Sequence, residues 1–168
     1  MSGRAPEHRG RPAARGRRFA IVASRFHEEI GKRLVEGARD ALRRHGAAEK
    51  DVSVFWVPGA FEVPQVALML ARRGRVDAVV CVGCVIRGET PHFEYVAGEA
   101  ARGIAEVSRL TGVPATFGVI TAENQEQAQD RAGGRVGNRG EEAAVAAVEL
   151  VELRRLLEPR RPRRRARR

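Results

Sequence analysis

Val79-Val80-Cys81-Val82-Gly83-Cys84-Val85-Ile86-Arg87-Gly88-Glu89-Thr90-Pro91-His92-Phe93-Glu94-Tyr95 is the stretch whose reading decides the fold. It opens as a continuous apolar run, the pattern of a strand covered on both faces in a parallel sheet. The run breaks at Arg87-Gly88 and restarts with helical character. Thr90 is placed to cap that helix and Pro91 to fill its first position, where a missing N–H costs nothing. A strand passing through a glycine turn into a helix start leaves backbone N–H groups free to hold an anion such as phosphate. His92, one residue into the helix, brings an imidazole able to move protons near neutral pH.

The same alternation repeats on both sides. Phe19–Ala23, Val52–Val57, Asp77–Ile86 and Ala115–Ile120 read as short buried strands. Helices are expected over 28–45, 60–73, 91–110, 123–132 and 139–156, with Gly46 closing the first and Asn138 capping the last. Pro64 falls near the start of the second, where a helix tolerates it. Strands alternating with helices predict a doubly wound, three-layer α/β/α sandwich around a four-stranded parallel sheet, flavodoxin-like in plan. Ligands of such sheets bind beyond the carboxyl ends of the strands. The loops expected there are Ser24–His27, Pro58–Glu62, Ile86–His92 and the turn at Thr121.

The net charge of +10 is unevenly divided. Residues 1–18 hold six Arg against one Glu, and residues 154–168 hold nine Arg against one Glu. The remaining 135 residues carry 16 basic and 19 acidic side chains, so the body is mildly acidic and the basicity belongs to the ends. Residues 1–17 read as a disordered basic leader, 18–156 as one folded domain and 157–168 as a disordered Arg-rich tail. No apolar run approaches the roughly 18 residues of a membrane span, and the basic start lacks a signal peptide's apolar segment. The expected compartment is the cytoplasm. Cys81 and Cys84 have CxxC spacing, but residues three apart on a strand face opposite ways, so both read as buried apolar groups.

Phe26, just past the first strand, is placed to stack on a planar heterocycle. Pro58-Gly59-Ala60-Phe61-Glu62 sets a glycine turn and an early-helix carboxylate at the same rim. Arg131 and Arg139 flank a glycine-rich loop and suit bidentate phosphate recognition. P-loop, GxGxxG, GxSxG and HExxH patterns are missing, which disfavours dinucleotide, acyl-enzyme and zinc chemistry.

Taken together, these segments resemble the 6,7-dimethyl-8-ribityllumazine synthase family. The resemblance rests on Ser24-Arg25-Phe26, Pro58 to Pro64, Gly83 to Val96, Phe117 to Thr121, Glu126-Gln127-Ala128 with Arg131-Ala132-Gly133, and Gly137-Asn138-Arg139-Gly140. It runs in order over about residues 17–155. It implies condensation of 5-amino-6-(D-ribitylamino)uracil with 3,4-dihydroxy-2-butanone 4-phosphate, without metal or organic cofactor.

The resemblance also implies roles. Phe26 matches the aromatic stacked on the pyrimidine, and Ala60, Phe61 and Glu62 match the segment holding its ring and ribityl chain. Cys84, Val85 and Ile86 match the strand end whose backbone reads the uracil edge. Glu89 and Thr90 match the phosphate-binding helix start, and His92 the proton-transfer residue. Phe117 and Arg131 match groups lent by a neighbouring subunit, Arg131 to the phosphate. Arg139 replaces a frequent Lys beside the pyrimidine site, and His27 stands where Asn is frequent. The family forms pentamers, and some members build icosahedral shells of sixty subunits. The short, Pro-free loop Gly46–Asp51 leans toward the larger assembly. Other readings are an RNA- or polyanion-associating shell acting through the Arg-rich ends, an inactive structural shell, and an archaeal-type riboflavin synthase.

Overall fold

The computed structural model describes residues 5–158. The first four residues of the leader, and the tail from residue 159 onward, lie outside the described residues. Four strands, β1 (Phe19–Ser24), β2 (Val52–Val57), β3 (Ala78–Ile86) and β4 (Ala115–Ala122), form one parallel sheet in the order β2-β1-β3-β4. The helices are α1 (Glu28–Arg44), α2 (Val63–Arg72), α3 (His92–Thr111), the short α4 (Gln125–Asp130) and α5 (Arg139–Leu157).

The period-two rule of strands divides the core. Phe19, Ile21 and Ala23 of β1 join Val80, Val82 and Cys84 of β3 against α1 and α5. Ala20 and Val22 join Val79, Cys81 and Val85 against α2 and α3. Burial on both faces explains the unbroken apolar runs. Cys81 and Cys84 therefore lie in different halves of the core, both unpaired, and burial pushes each thiol up to about 12. Asn138 caps α5 through its side-chain oxygen, bonded by the amides of Gly140 and Glu141, and its amide nitrogen donates to the Arg33 carbonyl of α1 at 2.9 Å. Gly140 is needed there, because a Cβ would come within 2.0 Å of the Leu34 carbonyl oxygen.

Four expectations are corrected. Thr90 makes no capping bond: Pro91, with φ −64° and ψ −2°, takes the cap position and α3 begins at His92. The fixed proline φ suits a position at the helix edge as well as one just inside it. Residues 60–62 form a 3-10 turn, and α2 proper starts at Val63 with Pro64 in its first turn. The glycine-rich loop after α4 is a small antiparallel hairpin, β5 (Ala132–Gly134) with β6 (Gly137–Asn138). The leader is not wholly loose: Ala14 is fully buried and donates to the His45 carbonyl at 2.8 Å, and Gly10 lies against the Glu149 backbone.

Candidate active site

From β1 the chain crosses to β2 on one side, then returns to place β3 on the other. The carboxyl ends of β1 and β3 therefore feed loops that part in opposite directions, and the crevice between them is where a doubly wound sheet accepts ligand. A cleft of about 540 Å³ occupies that position.

Each strand end supplies one wall. From β1 come Phe26 and His27; from the turn after β2 come Gly59, Ala60, Phe61 and Glu62. Cys84, Val85 and Ile86 end β3, and Gly88, Thr90 and His92 lead into α3. Phe26 is 68 % exposed and Phe61 55 %, so two aromatic faces stand uncovered at the mouth. Exposed aromatic area of this kind is unusual unless a ligand or another chain covers it. The Glu62 carboxylate bends back to accept the Gly59 amide at 2.9 Å, fixing the turn and keeping one oxygen occupied.

The stretch from Gly88 to His92 ends at the first turn of a 20-residue helix whose first two amides, of His92 and Phe93, have no partner within the helix, while that of Glu94 bonds the Pro91 carbonyl at 2.9 Å. Those amides, with the helix dipole, favour an anion. The His92 side chain is exposed at the first helical position, on the cleft wall.

The cleft gathers Phe26, Ala60, Phe61, Glu62, Cys84, Val85, Ile86, Thr90 and His92 from the residues singled out in the sequence. Glu89 belongs to the same loop without lining the cleft. Phe117, Arg131 and Arg139 are elsewhere on the chain. Phe117 is 46 % exposed in the amino-terminal half of the edge strand β4, at the far end from the cleft. Arg131 and Arg139 are drawn together by the hairpin, the Arg139 amide donating to the Arg131 carbonyl at 2.9 Å. The Arg131 guanidinium bonds the Gln127 carbonyl, and that of Arg139 pairs with Glu142.

No cleft role was legible in the sequence for the aromatic rings of His27, Phe93 and Tyr95. His27 adopts a left-handed conformation, φ 58°, and its ring stands edge-on to Phe26. Phe93 and Tyr95, in the first turn of α3, complete the aromatic lining. Helical spacing places Tyr95 near His92.

A four-stranded parallel sheet between helices, with a crevice at the strand-order reversal, defines a three-layer α/β/α sandwich of flavodoxin-like plan. The model of the 6,7-dimethyl-8-ribityllumazine synthase family matches residues 16–155, and the chain belongs to that family. Membership places it among the transferase-type enzymes of riboflavin biosynthesis. Among the described residues no helix is long and apolar enough to cross a membrane.

Proposed function

We propose that the protein condenses 5-amino-6-(D-ribitylamino)uracil with 3,4-dihydroxy-2-butanone 4-phosphate, giving 6,7-dimethyl-8-ribityllumazine, phosphate and water. The observation that carries this is the convergence of Phe26, Phe61, Glu62 and His92 on one cleft facing the helix start of α3. Phe26 stacks on the pyrimidine, and the Ala60–Glu62 turn holds its ring and ribityl chain. The backbone of Cys84–Ile86 reads the uracil edge. Amides of the Glu89–Thr90 turn receive the phosphate, and their donation grows stronger as the leaving group gathers charge. The 5-amino group attacks the ketone and the adduct loses one water to give an imine, the imine loses phosphate, and the ribityl-bearing amine closes the ring onto the remaining carbonyl with loss of a second water. Holding both substrates in register supplies most of the acceleration. His92 transfers the protons, a contribution of about 10²–10⁴ in rate.

Phe117, Arg131 and Arg139 lie away from their own chain's cleft, which supports an active homo-oligomer, a pentamer or a shell built from pentamers. In that arrangement they complete a neighbour's site, Phe117 and Arg139 beside the pyrimidine and Arg131 on the phosphate. Incubating the protein with both substrates tests the reading: lumazine absorbance should rise with equimolar phosphate release. Conversion of lumazine to riboflavin, with no condensation, would assign the archaeal-type riboflavin synthase activity instead.

A second reading concerns the basic ends, with 18–156 as the catalytic unit. The leader lies along α5, through Gly10 against Glu149 and Arg17 3.6 Å from Glu152, and the Arg-rich tail follows the end of that same helix. The Arg content of the two ends of the sequence suits a polyanion, with RNA as the partner that fits their charge. Deleting residues 159–168 should weaken RNA binding and flatten its salt dependence; salt-independent binding would reject it.

A further inference from the structure

We infer that Arg87 is a positioning residue, which holds the Gly88–Pro91 turn and His92 in register with the rim of the sheet. The inference rests on the proposed use of that turn and deepens it. Residues 88–91 are all exposed, and among the described residues none of their side chains makes a hydrogen bond. Among the described residues nothing approaches within 4 Å of the place a Cβ would take on Gly88. A glycine turn with so few contacts has many conformations, and an anion cradle works only if its amides already point one way.

Arg87 supplies the missing restraint from the strand side. Its Nε donates to Glu123, just past β4, at 2.8 Å, and one terminal nitrogen donates to Glu94 of α3 at 3.2 Å. The guanidinium also lies over the Phe93 ring, 4.5 Å from its centre. The Arg87 amide bonds the Ala122 carbonyl at 2.9 Å. One side chain thus ties the end of β3 to the end of β4 and to the two residues that follow His92. Those contacts engage its ring-facing surface and two of its donors, which fits a clamp better than a substrate ligand. A lysine cannot reproduce it, because a single ammonium lacks the planar fork that spans two carboxylates while stacking.

The test compares Arg87→Met, Arg87→Lys and the double variant Glu94→Gln/Glu123→Gln, which keeps the arginine. Amide exchange over residues 94–96, where the Glu94 N–H closes the turn onto the Pro91 carbonyl at 2.9 Å, should quicken about fivefold in Arg87→Met and in the double variant, the scale of losing a partly exposed ion-pair network. Arg87→Lys should resemble Arg87→Met. Inhibition by inorganic phosphate should weaken in step, and the KM for the phosphorylated ketone should rise more than kcat falls. Unchanged exchange in Arg87→Met would overturn the inference. So would weakened phosphate inhibition in Arg87→Met with wild-type exchange and inhibition in the double variant, since Arg87 would then be a direct anion ligand. Exchange needs no substrate, so it decides the clamp even where the condensation assay refutes the proposed reaction.

Discussion

The ring of His27 stands edge-on to that of Phe26, with centroids 4.8 Å apart and planes 75° from parallel. This contact sets the tilt of the one aromatic face at the end of β1 that points into the cleft. His27 achieves it from a left-handed backbone conformation at the N-cap of α1, without a side-chain capping bond. Partial burial lowers its pKa from the ordinary 6.5 by disfavouring the charged form.

A group whose folded pKa lies below its unfolded value contributes stability above the unfolded pKa and loses it as pH falls through the folded one. The wild-type thermal midpoint should therefore drop as pH falls below 6.5. His27→Asn removes the titration while keeping a side chain that tolerates positive φ, so its midpoint should drop less over the same interval. Parallel midpoint curves for the two proteins would show that His27 titrates alike in the folded and unfolded chain.

Ser24 and Gly83 meet across β1 and β3. The Ser24 hydroxyl is fully buried without a hydrogen-bond partner among the described residues, and a Cβ on Gly83 would fall 2.5 Å from its oxygen and 3.2 Å from its Cβ. Gly83→Ala should destabilise by about 1–3 kcal/mol through overpacking. Ser24→Ala should be neutral or mildly stabilising, since an unpartnered buried hydroxyl already costs its desolvation. In the double variant Ser24→Ala should recover most of the Gly83→Ala loss, because the closest clash has gone. Additive midpoint changes on thermal melting would contradict this geometry.

These examples show where sequence was informative. The sheet was readable because β1 and β3 are buried on both faces, leaving apolar runs that only a covered parallel strand needs. The cleft was largely readable because its walls are short contiguous segments, each at a strand end. Arg87 was not, since its partners Glu94 and Glu123 lie 7 and 36 residues away and no local pattern joins them. The β5–β6 hairpin was missed because three glycines and two-residue pairing carry no alternation to read. Ala14 was missed because an alanine among arginines and prolines gives no sign of the His45 carbonyl it caps.

His92→Ala tests the proton-transfer role directly. The side chain is exposed and makes no hydrogen bond to the protein among the described residues, so its removal should leave the unfolding free energy within about 0.5 kcal/mol of wild type. Turnover should fall by about 10²–10⁴, while affinity for the pyrimidine substrate, measured calorimetrically, changes little. A variant with wild-type kcat would remove His92 from the chemistry.

The placement of Arg131 allows a mixing experiment. Arg131 ends α4 and is linked through the Arg139 amide to the start of α5, while the cleft that needs a phosphate ligand opens at β3 and α3. If the arginine serves a neighbour's cleft, His92→Ala and Arg131→Ala damage different halves of a shared site. Co-refolded in equal amounts, the two variants should then regain about a quarter of wild-type turnover at subsaturating phosphorylated ketone, since random neighbours in a cyclic ring restore one site in four. Separately, Arg131→Ala should raise the KM for that substrate with kcat less affected, the pattern of a lost binding contact. Were both residues to act within one chain, no mixture could hold an intact site, and turnover would stay at the mean of the two variants.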